Sequence, residues 1–529
     1  MVFIIKFVSI CAEKKSLEDL QVLHKAGRGK VILNTIKMLD IKVRSHDAYT
    51  LEMKVGFIKG ENQHKSDFTI NTWIFVPNTL DLNKTTYSKD QFYSDVKSKI
   101  RFITPVYKLA AIVDEGAIPY NNLSAATQDL LREETAIHVY EIEFQLKMFM
   151  AIFRSALRNA VTDFKQATED QHVDLIQTYV SSSTSIRDKY RALKEELHQN
   201  EAVTGKEYLN YFSFADEYLS YTLLRYSFLL LDRLMLVSDE RFQLLQHQVK
   251  QLILSEQAYM KNMGYSFIKA NEKATNQAVI YRYAMLNKYV ESDLILESNK
   301  KKDSDGVFVQ QVYYSIAAGI SMVFATIVAF SFQQKYGNFT MPLFVALVVG
   351  YMLKDRIKDL MRFYFAGKLG GKYFDNKTSI SIKGKQIGWI KEAVDFITDE
   401  KVPSEILNIR NRSVLLEVEN RIHNEKILLY RKKVSLDRGE MMKNSTYFFK
   451  GVHDIFRFNL TRLLQRMDNP KVSVLSLDEQ NEQVIGFHAD KVYYINFISQ
   501  IEYEDHTEYK RYRIICQRDG IQKIEELFT

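Results

Sequence analysis

Two stretches of the chain carry no charge: Val312 to Phe332, 21 residues, and Tyr336 to Leu353, 18 residues. At 1.5 Å per residue the first is about 31 Å long, the thickness of a bilayer's hydrocarbon core, and it reads as a transmembrane helix. The second reads as a shorter span, with Thr340 as its cap and Pro342 in its first turn. Few residues separate them, Gln333, Gln334 and Lys335 among them, so the pattern predicts a helical hairpin with both ends on one side. Ala317, Ser321, Ala325 and Ala329 recur every four residues, and Ala346 and Gly350 repeat that spacing. Such a stripe lets helix backbones approach closely, within the hairpin or between protomers. No charge lies inside either span, which disfavours an ion or proton pathway. Ser315, Ser321, Thr326 and Ser331 keep an oligomeric pore open as an alternative.

Elsewhere the apolar period changes along the chain. No proline interrupts Tyr120 to Met341, and Val139, Ile142, Leu146, Phe149, Phe153 and Leu157 step by three and four, as one buried helix face requires. Further helices are expected at 161–179, 186–199, 208–237, 240–263 and 268–297. The apolar run Tyr218 to Val237 contains Arg225, Asp232 and Arg233, which marks it as the core helix of a soluble bundle. Strand-like runs occupy 36–43, 49–58 and 67–76, and again 413–418, 426–434, 472–477, 491–501 and 509–517. An opening strand is expected where Phe3, Ile5 and Phe7 alternate with Val2, Ile4 and Val8. Val452, Ile455, Phe456, Asn459 and Leu463 suggest a helix within 445–467.

The fold class expected is a membrane-anchored α+β multidomain protein. It comprises an N-terminal α+β domain (1–115), a long-helix bundle (116–299), a transmembrane hairpin (300–353), a basic amphipathic juxtamembrane segment (354–412) and a β-rich C-terminal domain (413–529).

Charge then orients the hairpin. Lys and Arg number 72 against 65 Asp and Glu, an excess too small to suggest a nucleic-acid-coating protein. Much of it sits beside the hairpin: Lys300, Lys301 and Lys302 come before, and Lys354, Arg356, Lys358, Arg362, Lys368 and Lys372 follow, against Lys335 alone in the loop. That asymmetry predicts an inner- or plasma-membrane protein with both termini cytoplasmic. Ile357, Leu360, Met361 and Tyr364 share one helical face, so the second span should continue along the lipid interface until Gly367, Gly370 and Gly371. Each basic residue there would gain about 1 kcal/mol from anionic headgroups. The bilayer is one expected partner, and a second copy or another protein is the other.

Candidate chemistry is sparse. Cys11 and Cys516 stand at opposite ends, so no disulfide framework or thiolate metal site is implied. The glycine runs at 26–31 and 367–373 lack the spacing of a phosphate-binding loop, and neither HExxH nor GxSxG occurs. No cofactor or metal is expected. A hint of nuclease chemistry lies in Asp505, His506, Glu508 and Lys510, because carboxylates beside a lysine can hold Mg²⁺ at a phosphate. Their ordinary account is a solvated strand edge. His453 and Asp454, if helical, would point apart and need separate partners. The function expected is a non-enzymatic interaction, scaffold or sensing module at the membrane. The alternatives are a membrane-perturbing oligomer gated by the cytoplasmic domains and a membrane-tethered hydrolase or nuclease.

Overall fold

The computed structural model describes residues 39–58, 65–114, 116–199, 207–236, 242–302, 304–369, 373–382, 384–411, 425–443, 446–478, 483–503 and 506–527. The expected strands at 2–8 and 413–418 lie outside them, as do Asp505 and Lys372. In chain order the strands are β1 (Leu39–Ser45), β2 (Thr50–Ile58), β3 (Lys65–Val76), β4 (Val96–Phe102), β5 (Glu297–Lys302), β6 (Asn376–Ile382), β7 (Lys385–Ile397), β8 (Lys426–Asp437), β9 (Gly451–Asn459), β10 (Lys471–Asp478), β11 (Gln483–Asp490), β12 (Tyr493–Tyr503), β13 (His506–Gln517) and β14 (Gly520–Leu527). The helices used below are α1 (Ile118–Arg132), α2 (Ala136–Gln166), α3 (Glu169–Gln199), α4 (Glu207–Met235), α5 (Gln243–Asn262), α6 (Lys273–Glu291), α7 (Ser304–Tyr336), α8 (Met341–Leu369) and α9 (Ser404–Asn411).

An eight-stranded antiparallel sheet runs β14-β13-β12-β3-β8-β7-β6-β5, and a four-stranded sheet runs β1-β2-β9-β4. β9 alternates inward apolar with outward polar or half-buried residues, so two sheets can bury their facing sides against each other, while Trp73 and Phe75 on the other face of β3 pack with Val402, Ile406 and Ile409. Phe57 of β2 stacks on Phe68 of β3 with ring centroids 3.6 Å apart. Phe456 and Phe458 of β9 meet Tyr430 and Phe497 of the larger sheet. β3 lies between β8 and β12, and β2 and β4 flank β9. Residues 1–115 and 413–529, expected as separate domains, therefore supply strands to the same two sheets.

Two regions differ from expectation. Residues 451–459 are strand β9, not helix, with Val452, Asp454, Phe456 and Phe458 inward. A spacing of four, as from Val452 to Phe456, satisfies both a helical and a two-residue period, and pairing with β2 and β4 selects the strand. Residues 376–397, placed in a juxtamembrane segment, instead form β6 and β7, with Ile380, Ile390, Ala393 and Val394 buried.

Helices α1 to α6 form the helical core beside the sheets. The α2 stripe from Ile142 to Leu157 is buried as its spacing requires. α4 is a core helix, with Tyr218, Leu219, Leu223 and Leu234 inaccessible. Asp216 and Glu256 are also fully buried, and Arg191 and Lys194 neutralise them at 2.6–3.2 Å. Burial of such charges is tolerated only when they are paired in this way.

Candidate functional site

β5 and β6 pair as a hairpin, with Lys302 opposite Asn376, and the whole of α7 and α8 is inserted between them. The two helices thus form an arm leaving one edge of the eight-stranded sheet. At its tip Gly337 (φ 75°) and Phe339 (φ 59°) take left-handed conformations that reverse the chain. Antiparallel packing follows from the contacts. Tyr313 meets Phe365 at 5.0 Å between ring centroids, Arg362 lies over the Tyr314 ring, and Gly350 abuts Val328.

The small residues occupy the seam of this pair. Ala317 and Ser321 of α7 are buried, as are Ala346 and Gly350 of α8, while Ala325 and Ala329 are half-buried. Hydroxyls on α7 bond back to its own carbonyls: Ser315 to Gln311, Ser321 to Ala318 and Thr326 to Met322, each at 2.8–2.9 Å. That arrangement leaves fewer polar atoms needing water.

The outer surface of the arm is apolar. Ile316, Ile320, Val323, Ile327 and Phe330 of α7 are exposed, and so are Phe344, Leu347, Val348, Met352 and Leu353 of α8. Gln311–Tyr336 is long and apolar enough to cross a bilayer, and only 11% of its most apolar stretch is buried, the reverse of a core helix such as α4. α8 is different. Tyr336 ends α7 and the turn takes the next four residues of the expected 18-residue stretch, leaving 13 uncharged helical residues to Leu353. They cover about 20 Å, short of the roughly 30 Å core. By length and composition, therefore, α7 qualifies as a span and α8 does not.

The expected interface cations line the second half of α8. Four residues beyond Gly350, Lys354 reaches the Tyr351 ring at 3.8 Å. Lys358 pairs with Asp355 at 3.2 Å, Arg356 is exposed, and Arg362 covers Tyr314. Lys368 is on α8, with its side chain undescribed.

The C-terminal candidates form a cross-strand ion cluster. Lys510 of β13 lies 2.9 Å from Glu526 of β14 and 3.6 Å from Glu508, and its bond to Glu526 raises its pKa. His506 is exposed where β13 begins, opposite Tyr503. Tyr509 donates to Glu405 of α9 at 2.7 Å. Among the described residues, no three His, Cys, Asp or Glu side chains are grouped to hold a metal ion.

Two buried charge clusters had no local signal in the sequence. His453 and Asp454, being neighbours on a strand, point to opposite faces of the small sheet. Asp454 enters the space between the sheets, where Lys432 of β8 donates to both it and Ser98. Burial raises the pKa of Asp454 despite that ammonium group. Beside them Tyr430 donates to Glu392, and burial followed by that carboxylate pushes the phenol pKa well up. His453 faces outward, beside Lys54 and Arg101. The helical reading also set the two side chains apart, and the pairing of β9 with β2 and β4 supplies their separate partners.

Set against protein-family models, curated proteins and solved structures, the chain matches none.

Proposed function

We propose that the protein is held at a membrane by the α7–α8 arm and presents its α+β body at the bilayer surface as a non-enzymatic interaction, scaffold or sensing module. The observation that carries this reading is the arm's outward face. A continuous apolar surface over two paired helices exceeds the patch a soluble monomer leaves in water, and lipid is the solvent that suits it. The arm enters tip first, with both of its ends on the side of the body; α8, whose apolar stretch is roughly 10 Å short of the core, crosses by local thinning of the bilayer and by snorkelling of Lys354 and Arg356. Lys354 to Arg362 then sit toward the near headgroups, where long basic side chains snorkel and meet anionic lipid. The excess of basic residues around the arm supports a cytoplasmic side for the body, since such residues are retained there.

Labelling at the tip tests this. In Asn338→Cys carrying Cys11→Ser, a membrane-impermeant maleimide applied to vesicles of each orientation should react only on the side opposite the body. Reaction in neither orientation until detergent is added would make the arm re-entrant. Reaction from the body's own side would overturn membrane insertion.

A further inference from the structure

The outward face of the four-stranded sheet gathers cations without enough carboxylates to neutralise them. Strand register places Lys54 and Lys99 on either side of Ile455, and Gly56 and Arg101 on either side of His453. Cross-strand neighbours are about 5 Å apart and same-face positions along a strand about 7 Å, so these groups border one small area. The nearby carboxylates are engaged: Glu52 by Arg44 and Arg457 at 2.6 Å, Asp40 by Lys42 at 2.9 Å and Glu291 by Arg154 and Arg101 at 2.6 and 3.3 Å. Lys54 and Lys99 have no carboxylate partner among the described residues. Nδ1 of His453 is buried and likewise lacks a hydrogen-bond partner there. The imidazole lies over Gly56, where a Cβ would come within 3.1 Å of its Cδ2. Gly56 thus leaves room for the ring.

We propose that this face binds a compact phosphate-class oxyanion between Lys54, His453 and Arg101, with Lys99 at the rim. The unliganded electrostatics agree. Burial, then Arg101, Arg158, Lys42 and Arg44, brings Lys54 down to about 8. Burial, then Lys54 and Arg101, brings His453 down to about 3, with Asp40 acting against them and Lys42 with them. A bound dianion reverses that repulsion, so binding near pH 8 takes up protons. The cations converge on one half-buried spot, which suits a phosphate group better than an extended polyanion.

The test is calorimetric titration of the full chain, in phosphatidylcholine nanodiscs at pH 8, with sodium pyrophosphate in two buffers of different ionisation enthalpy. Saturable binding with proton uptake is expected, weakened about tenfold or more in Lys54→Gln. Without ligand, that variant should unfold no earlier than the parent, because a repelled charge has been removed. Lys99→Gln, at an exposed rim position, gives a second reading should Lys54→Gln fold poorly, and a smaller loss is expected. Nanodiscs containing phosphatidic acid separate the ligand sources: a lipid headgroup as natural ligand would compete with pyrophosphate, whereas a soluble phosphate compound would leave the titration unchanged. No heat beyond that of sodium chloride at equal ionic strength, or unaltered binding in both variants, would overturn the proposal.

Discussion

Lys432 donates to Asp454 across the interface of the two sheets, and each of these side chains is only 1% exposed. Removing one partner leaves the other charge desolvated. Lys432→Met is expected to cost about 3–5 kcal/mol, whereas Lys432→Met combined with Asp454→Leu should recover most of that loss, because an apolar pair of similar volume fills the space. Guanidinium unfolding of the two single variants and the double variant measures the coupling directly.

The arm's seam makes a geometric prediction. A Cβ on Gly350 would stand 3.9 Å from Cβ of Val328, within the range a disulfide spans. Val328→Cys with Gly350→Cys should therefore cross-link under mild oxidant, holding the two halves together on a denaturing gel after cleavage at the tip. Ile327→Cys with Gly350→Cys, which places one thiol on an exposed position, should not. Adding Ala317→Leu, which forces bulk into a fully buried position, should weaken the pairing by about 1–3 kcal/mol and slow the cross-link.

Glu52 links stability to pH. Burial raises its pKa, but hydrogen bonds from Arg457 and Arg44 outweigh that and hold it below the usual carboxylate range. A depressed folded pKa contributes stability above the unfolded value of about 4.3, and the contribution disappears as pH falls through the folded value. Glu52→Gln should thus cost about 1 kcal/mol at pH 7. The difference should fade below pH 4, as thermal unfolding across a pH series would reveal.

What the sequence disclosed depended on how local each determinant was. The stripe from Val139 to Leu157 is a property of one helix, and it appears as α2. The charges Arg225, Asp232 and Arg233 pointed to a core helix before any contact was known, and α4 is buried as one. β5, whose sequence is ESNKKK, has no apolar alternation and exists because β6 pairs with it. The start of α8 is set by the turn at Gly337 and Phe339, which an uncharged window ignores. Lys54, His453 and Arg101 lie far apart in the chain, and only the pairing of β9 with β2 and β4 assembles them.

β3 has both of its neighbours, β8 and β12, hundreds of residues downstream. From Val76 to Lys426 is about 350 residues, which a ribosome needs on the order of 20–70 s to add. During that interval the apolar strand TINTWIFV has no sheet to join, while α7 and α8 have already emerged. Synthesis therefore delivers an apolar arm before a finished body, and the nascent chain has to keep β3 from pairing with strands of other chains until its own arrive.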